Sequence, residues 1–215
     1  MGERVGTRRE EIGGKIGMKK FELTAEYVTN IFGKKLFRIK ALVAFGDVEE
    51  GELGGFIEKE SNLDNDGDAW VYGDARVYGD ARVYGDAQVS GDARVSGDAR
   101  VYGDAWVSGD ARVSGDAWVS GNARVSGNAQ VSGDLDYAIV GGFGSEQRTT
   151  TFFLQKDGMV GVKCGCFYGT LEEFREKVKK THKDSKYAQE YLMIADLMEL
   201  HFAGGSNGTE DGENQ

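Results

Sequence analysis

The sequence predicts a mainly β protein: a parallel β-helix of about five coils, with an N-terminal β-hairpin cap and a small C-terminal α+β cap. Glycine recurs at every sixth position from Gly67 to Gly133 without a slip. The residues between follow the pattern Gly-Asp/Asn-Ala-x-Val-x, and the 215 residues include 33 glycines and no proline. Gly and Asp in every repeat oppose an α-helix, and collagen would need Gly at every third position. The period therefore favours one short strand and one turn per repeat.

Each part of the repeat has a physical role. Val is β-branched and packs inward, Ala is a small inward residue near the corner, and Gly and Asp adopt the turn conformations. Three repeats close a coil of 18 residues, and successive coils stack at about 4.8 Å. Upstream, Leu53 occupies the Val phase, whereas Ile57 and Leu63 occupy the Ala phase. We therefore assign residues 51–139 to the β-helix, with a wider or less regular first coil.

Residues that are 18 positions apart lie above one another, so the side chains beside each Val form outward columns. One such column carries Arg76, Arg94 and Arg112 in succession, and aromatic residues concentrate on the first coils. Because exposed arginine and aromatic residues are enriched in interfaces, we predict a binding surface. Its candidates are Trp70, Tyr72, Arg76, Arg82, Tyr84, Arg94, Arg100, Tyr102, Trp106, Arg112 and Trp118. The alternative interpretation is that the turn aspartates neutralise the arginines and that the aromatics simply suit a sheet surface.

The flanking segments predict caps that protect the open ends of the β-helix. Residues 19–50 contain two alternating runs around Gly33-Lys34, which indicates a β-hairpin. Residues 140–203 contain a second hairpin around Lys156-Asp-Gly, and then a helix capped by Thr170 and Glu173. A last helix starts near Asp184 or Ser185. Its apolar face comprises Ala188, Tyr191, Leu192, Ala195, Met198 and Phe202.

The two chain ends lie outside these caps. Residues 204–215 are Gly-rich and acidic, which is typical of a disordered tail. Residues 1–18 are interpreted as a leader or a disordered basic arm. Gly13-Gly14 is compatible with a GGAGGN codon pair that resembles a ribosome-binding site, so Met18 is the expected natural start.

Composition excludes several classes of protein. The net charge of −10 disfavours a nucleic-acid footprint. The sequence contains no run of about 18 apolar residues, so it predicts no membrane span, and the N-terminus lacks the apolar core of a signal peptide. Cys164 and Cys166 are the two cysteines, and they do not make a disulfide framework. A reducing cytoplasm is therefore the expected compartment.

The chain resembles a group of bacterial and phage or prophage hexapeptide-repeat proteins of unassigned function. In the repeat, an aliphatic residue is followed four positions later by a small one, from Val71 and Ala75 to Val125 and Ala129. The resemblance extends over nearly all of residues 19–202, through segments such as Leu36-Phe-Arg-Ile-Lys-Ala-Leu, Arg148-Thr-Thr-Thr-Phe-Phe and Gly165-Cys-Phe-Tyr-Gly-Thr-Leu. It implies left-handed coils and, since hexapeptide-repeat enzymes usually form trimers, a trimeric homo-oligomer. The exposed aromatic residues could equally drive a dimer. The resemblance implies no settled activity.

Many hexapeptide-repeat proteins are acyltransferases, and some resemble γ-class carbonic anhydrases. The first chemistry uses a His base on a loop, and the second needs three His ligands. This chain has only His182 and His201, in the predicted C-terminal helices, and its repeat has no inserted loop. Both cysteines are interpreted as core packing. We therefore predict no catalytic residue, metal or cofactor.

The sequence thus favours a non-enzymatic binding or structural protein. It would present flat faces to a protein partner or a small anionic ligand, in the bacterial cytoplasm or, if phage-encoded, in the host cytoplasm. Two alternatives remain open: a phage-encoded inhibitor or sequestering protein that acts on a host molecule, and a hexapeptide-repeat acyltransferase.

Overall fold

The computed structural model of the protein describes residues 19–203. The predicted leader or arm and the predicted acidic tail lie outside these residues. The elements are β1 (Phe21–Thr29), β2 (Lys35–Ala41), β3 (Leu53–Ile57), β4 (Trp70–Val71), β5 (Arg76–Val77), β6 (Arg82–Val83), β7 (Gln88–Val89), β8 (Arg94–Val95), β9 (Arg100–Val101), β10 (Trp106–Val107), β11 (Arg112–Val113), β12 (Trp118–Val119), β13 (Arg124–Val125), β14 (Gln130–Val131), β15 (Tyr137–Val140), β16 (Thr150–Leu154), β17 (Val160–Cys164), β18 (Phe167–Thr170), α1 (Leu171–His182) and α2 (Lys186–Ala203).

The repeats form a parallel β-helix with three faces. Face 1 contains β4, β7, β10 and β13, face 2 contains β5, β8, β11 and β14, and face 3 contains β6, β9 and β12. Strands of one face pair in parallel at an offset of 18 residues, as Val71 does with Val89. The predicted coil length is therefore confirmed. The β-helix has about four turns rather than the predicted five, because its first coil is only partly formed.

The interior is a column of small aliphatic side chains. Every repeat Val and Ala from Ala69 to Val131 is at most 1% exposed, which confirms their predicted inward orientation. Glycine is required at the turns. At Gly97, for example, φ is +69°, and an added Cβ would lie 2.9 Å from the carbonyl oxygen of Gly115 in the next coil. A left-handed φ and close coil stacking together explain why this position repeats as glycine.

The first coil differs from the prediction. Ile57 pairs with Val77, and Leu63 bridges to Val83, so both occupy the Val phase rather than the predicted Ala phase. Each of these pairs is 20 residues apart instead of 18, because two extra residues lie in the turn between Leu63 and Gly67. Leu53 is not inward either, since it begins β3 and is 53% exposed. The two inserted residues in this turn therefore shift the inward positions of the upstream residues by two relative to the six-residue period.

The backbone hydrogen bonds that flank each two-residue strand have a direction. The N–H of Trp70 donates to the carbonyl of Ala87, and the N–H of Tyr72 donates to that of Val89 in the next coil. The corresponding bonds of the later coils run the same way, whereas between paired strand residues of a parallel ladder N–H groups also donate in the opposite direction. At the flanking positions the N-terminal edge therefore presents carbonyl oxygens and the C-terminal edge presents N–H groups, and these groups need partners of the opposite kind.

Side-chain donors cover the carbonyl edge. Lys20 Nζ donates to the carbonyls of Gly67 and Ala69 at 3.1 and 3.0 Å, and Asn62 Nδ2 donates to two carbonyls at another corner. Burial lowers the pKa of Lys20, although nearby aspartates, Asp64 foremost, act in the opposite direction. The cap therefore supplies a buried cation and an amide where a further coil would supply backbone N–H groups.

Side-chain acceptors cover the amide edge. Asp134 Oδ1 accepts the N–H of Trp118 at 2.9 Å, and Thr151 Oγ1 accepts the N–H of Arg124 at 2.9 Å. The side chains of each cap thus supply partners for individual backbone groups at the edge that the cap covers.

The N-terminal hairpin is confirmed. β1 and β2 pair antiparallel, β2 pairs with β3, and β3 continues into face 2, which extends that face to a seven-stranded sheet. Phe21 and Phe45 of this cap pack against the first coil.

The C-terminal cap is an antiparallel sheet, β15-β16-β17-β18, covered by α1 and α2. The predicted hairpin forms β16 and β17, and the capping box of Thr170 and Glu173 is present. β15 and β18 are not among the predicted elements, and all of β15 except Val140 falls in the segment predicted to belong to the β-helix. Within residues 19–203, no helix has the length and apolar character needed to cross a membrane.

Candidate binding surface

Face 3 brings five of the predicted site residues together. Arg82, Arg100 and Trp118 follow one another in register in one column, and Tyr84 and Tyr102 form the column beside it. We call these five residues the aromatic face. The rings of Tyr84 and Tyr102 stack at 5.1 Å with an interplanar angle of 5°, and the ring of Trp118 is 5.6 Å from that of Tyr102. The face is therefore a continuous, ordered run of aromatic rings.

The run ends in a groove beside the C-terminal cap. Tyr102, Trp118 and Ser120 form one wall, and Asp134 and the first three residues of β15 form the rest, around about 340 Å³. Trp118 is 43% exposed at this groove. Tyr137 donates its hydroxyl hydrogen to the carbonyl oxygen of Trp118, which fixes the two walls relative to each other. The groove is therefore formed by packed elements of the fold and not by a gap between loops.

The groove is completed by four residues that are not among the predicted site residues, Asp134, Tyr137, Ala138 and Ile139. A signal was present, since the apolar run of residues 137–140 breaks the six-residue period four residues after the last repeat ends at Ser132. However, nothing in that run indicates that it lies beside Trp118, because β15 pairs with β16 and not with a coil of the β-helix.

Hydrogen-bonding groups remain available on the aromatic face. The indole N–H of Trp106, on face 1, donates to Ser90 Oγ at 3.0 Å. Among residues 19–203, by contrast, neither the indole N–H of Trp118 nor the hydroxyl of Tyr102 has a hydrogen-bond partner. The guanidinium carbon of Arg100 lies 5.4 Å from the Trp118 ring. The surface thus combines flat apolar rings with free donors and a cation.

Face 2 carries the predicted arginine column. Arg76, Arg94 and Arg112 pair in register from one coil to the next. No carboxylate among the described residues lies within 4 Å of these three side chains, nor of Arg82 and Arg100 on face 3. Direct ion pairing with the turn aspartates, as the alternative interpretation would have it, is therefore not formed.

One predicted site residue is buried, and the residue beside it is partly covered. Trp70 stands in an outward column but is 0% exposed, because the rings of Phe45 and Phe21 cover it at 5.4 and 6.4 Å. The prediction that Trp70 is an exposed binding residue is wrong, since the N-terminal cap uses it as a docking point. Tyr72 beside it is half-buried, and burial, followed by the charge of Glu52, raises its pKa.

Trp106 is 41% exposed on face 1, apart from the other aromatic candidates. Its ring carries the guanidinium group of Arg124, whose central carbon is 5.5 Å from the ring centroid. Trp106 therefore does not extend the aromatic face.

The cysteines and histidines lie in the C-terminal cap. Cys164 is half-buried and accepts a hydrogen bond from Thr150 Oγ1 at 3.1 Å, whereas Cys166 is exposed in the turn before β18. The core-packing interpretation is therefore wrong for Cys166, since it lies just beyond the strand. His182 and His201 lie on α1 and α2. Over the described part of the chain, no group of three or more His, Cys, Asp or Glu residues could hold a metal ion.

Comparison with known proteins supports the class of protein. A family model described as YdcK β-solenoid repeat matches residues 69–85, 75–91, 87–103, 93–109, 105–121 and 117–133. These matches cover the coils and neither cap. No curated protein matches the chain. The repeat, the fold and the family match together define a β-solenoid repeat protein.

Proposed function

We propose that the protein is a non-enzymatic binding or structural protein that presents the aromatic face and its groove to a partner. The observation that carries this proposal is the run of Tyr84, Tyr102 and Trp118 into a groove closed by Tyr137. Exposed aromatic and arginine side chains provide most of the binding energy in many interfaces.

The rigidity of the β-helix favours this function. Stacked rings and paired strands hold the face in one conformation before binding, so little side-chain ordering has to accompany association. The free donors of Trp118 and Tyr102 and the charge of Arg100 suit a protein partner or a small anionic ligand. The partner's acceptor groups would replace the water that solvates these donors.

The wider context belongs to the same proposal. It includes membership of the hexapeptide-repeat family with left-handed coils, a bacterial or phage accessory role, and a cytoplasmic location. A phage-encoded factor that blocks or sequesters a host molecule would use the same surface. An acyltransferase is the enzymatic alternative, although His182 and His201 lie on the cap helices and not beside the groove. A thermal shift with acyl-CoA would support the acyltransferase against our proposal.

Site-specific photo-crosslinking tests the proposal. A benzophenone amino acid at Ser120, which lines the groove, should capture a defined partner in the native host. The same probe at Ser108, in the corresponding column of face 1, should not capture it. Capture at Ser120 should be lost in the Trp118→Ala variant but kept in the Trp106→Ala variant. Equal capture from Ser108 and Ser120 would refute the proposed surface.

A further inference from the structure

Columns of opposite charge run side by side along face 2. Asp92 and Asp110 occupy successive turns at one corner, each two residues before an arginine of the column, Arg94 or Arg112. Within each column the side chains recur at the distance between successive coils, which is about 4.8 Å. We call Asp92, Arg94, Asp110 and Arg112 the charged strip.

The members of the strip do not neutralise one another directly. No ion pair within 4 Å joins any of these four side chains to another described residue. Both aspartates and Arg112 are exposed, and Arg94 is half-exposed. In the coil below, by contrast, Asp74 lies 3.6 Å from Arg38 of the N-terminal cap. The middle coils therefore keep unpaired charges of both signs at a fixed spacing.

The spacing decides which partner fits the strip. Side chains on one side of an extended peptide repeat at about 6.6 Å, twice the rise per residue. Phosphates on one strand of B-DNA repeat at about 3.4 Å along the axis. Neither spacing matches arginines that recur at about 4.8 Å, whereas carboxylates on stacked strands recur at the same distance. A second copy of this chain carries carboxylates with this spacing.

We propose that two copies of the chain pair through the charged strip. Asp92 and Asp110 of each copy then face Arg94 and Arg112 of the other. The strip is self-complementary, as a two-fold interface requires. The neighbouring column of face 2 presents the small side chains of Ser96 and Ser114, which allow close approach. The pairing does not use the aromatic face, so it is independent of the proposed function.

The dimer should be weak and salt-sensitive. Two chains of net charge −10 repel each other at long range, so the attraction has to come from the local match. Exposed ion pairs are individually weak, and added salt screens them. Concentration-dependent dimerisation that declines with added salt is therefore the expected behaviour of the wild-type chain.

Charge reversal in two complementary variants tests the pairing by sedimentation velocity. The first variant carries Arg94→Glu and Arg112→Glu, which makes its strip wholly acidic. The second carries Asp92→Arg and Asp110→Arg, which makes its strip wholly basic. Each variant alone should dimerise at least about tenfold more weakly than the wild type, because like charges face each other. An equimolar mixture should form a heterodimer.

A control separates a matched strip from general attraction between oppositely charged proteins. The variant with Arg82→Glu and Arg100→Glu has the same net charge as the acidic-strip variant, but its substitutions lie on face 3. It should keep the wild-type dimerisation and should not form the heterodimer with the basic-strip variant more strongly than wild type does. A wild-type chain that stays monomeric at low salt, or a heterodimer that forms equally well with the control, would overturn the proposal. Circular dichroism and thermal unfolding establish that all variants are folded.

Discussion

At one corner of the N-terminal edge, a single amide side chain replaces the backbone of a missing coil. Asn62 is fully buried, and its Nδ2 donates to the carbonyls of Gly79 and Ala81 at 3.1 and 2.8 Å. In the next coil the equivalent carbonyl, that of Ala99, accepts the N–H of Arg82. Asn62 therefore ends this corner of the β-helix by reproducing a donor that a further coil would have offered.

We expect Asn62→Leu to lower the free energy of unfolding by about 2–4 kcal/mol, because two buried carbonyls lose their donor. Urea denaturation followed by circular dichroism measures this loss. The matched control is Asn122→Leu, at an exposed turn position, which should change stability by less than about 0.5 kcal/mol. Similar losses in the two variants would show that Asn62 does not act as a cap.

A second residue of this edge predicts a pH dependence. Burial opposes ionisation of Glu58, but the N–H of Gly79 at 2.8 Å and Lys34 Nζ at 2.9 Å outweigh it, so its pKa is below the ordinary value. Because the folded-state pKa is the lower one, the stabilisation is complete above the unfolded-state pKa, about 4.3. It is lost as the pH falls through the folded-state value.

We therefore expect Glu58→Gln to reduce stability at pH 7 and to flatten the decline in stability below about pH 5. Urea denaturation across pH 3–7, an interval around the ordinary carboxyl pKa of about 4.3, provides the comparison. Parallel pH profiles for the variant and the wild type would contradict the assignment.

At the scale of the element, the turn glycines separate two causes of strain. Gly97 and Gly121 both have positive φ, +69° and +59°. An added Cβ at Gly97 would lie 2.9 Å from the Gly115 carbonyl oxygen, whereas at Gly121 it would meet no atom within 4 Å. The same substitution thus tests backbone conformation alone at one turn, and conformation together with coil stacking at the other.

We expect Gly121→Ala to destabilise the protein by about 1–2 kcal/mol, the cost of a left-handed non-glycine residue. Gly97→Ala should cost at least about 1 kcal/mol more, because the next coil must move away from the Cβ. Thermal and urea unfolding of the two variants, compared side by side, measure the difference. Equal losses would mean that the coils tolerate the additional methyl group.

The elements also show what the sequence could and could not predict. The regular coils were predictable because the Val and Ala positions repeat at one period, and the columns of Arg and Tyr follow from that period. The phase of Ile57 and Leu63 was not predictable, because two inserted residues in one turn leave no local signal of where the strand resumes. Likewise the burial of Trp70 depends on Phe45, and the groove depends on Tyr137. Both are tertiary contacts made by caps that lack the repeat.

At the scale of the whole molecule, the β-helix is one-dimensional. Each coil packs on the coil below and the coil above, and the Val and Ala positions are the same in every repeat. Stability should then depend on the number of intact coil interfaces, whereas the composition of each face depends on the phase of the repeats. Fold and binding surface can therefore be separated by insertion.

Duplication of residues 91–108 adds one full coil of 18 residues, and duplication of residues 109–114 adds one six-residue repeat. Both should fold, because each keeps Val and Ala inward. The full coil also keeps a copy of Tyr102 below Trp118, so the groove persists. The single repeat rotates Trp118 onto face 1, above Trp106, and removes Tyr102 from the groove.

Circular dichroism and unfolding should show a folded chain for both duplications, and crosslinking from Ser120 should survive only in the 18-residue one. A duplication of residues 109–113 is the control for phase, because five residues place polar side chains inward and should prevent folding. Crosslinking that persists after the six-residue duplication would show that the partner contacts only Trp118 and the C-terminal cap. In that case Tyr84 and Tyr102 would stack to stabilise the coils, and the binding surface would be confined to the groove wall formed by β15.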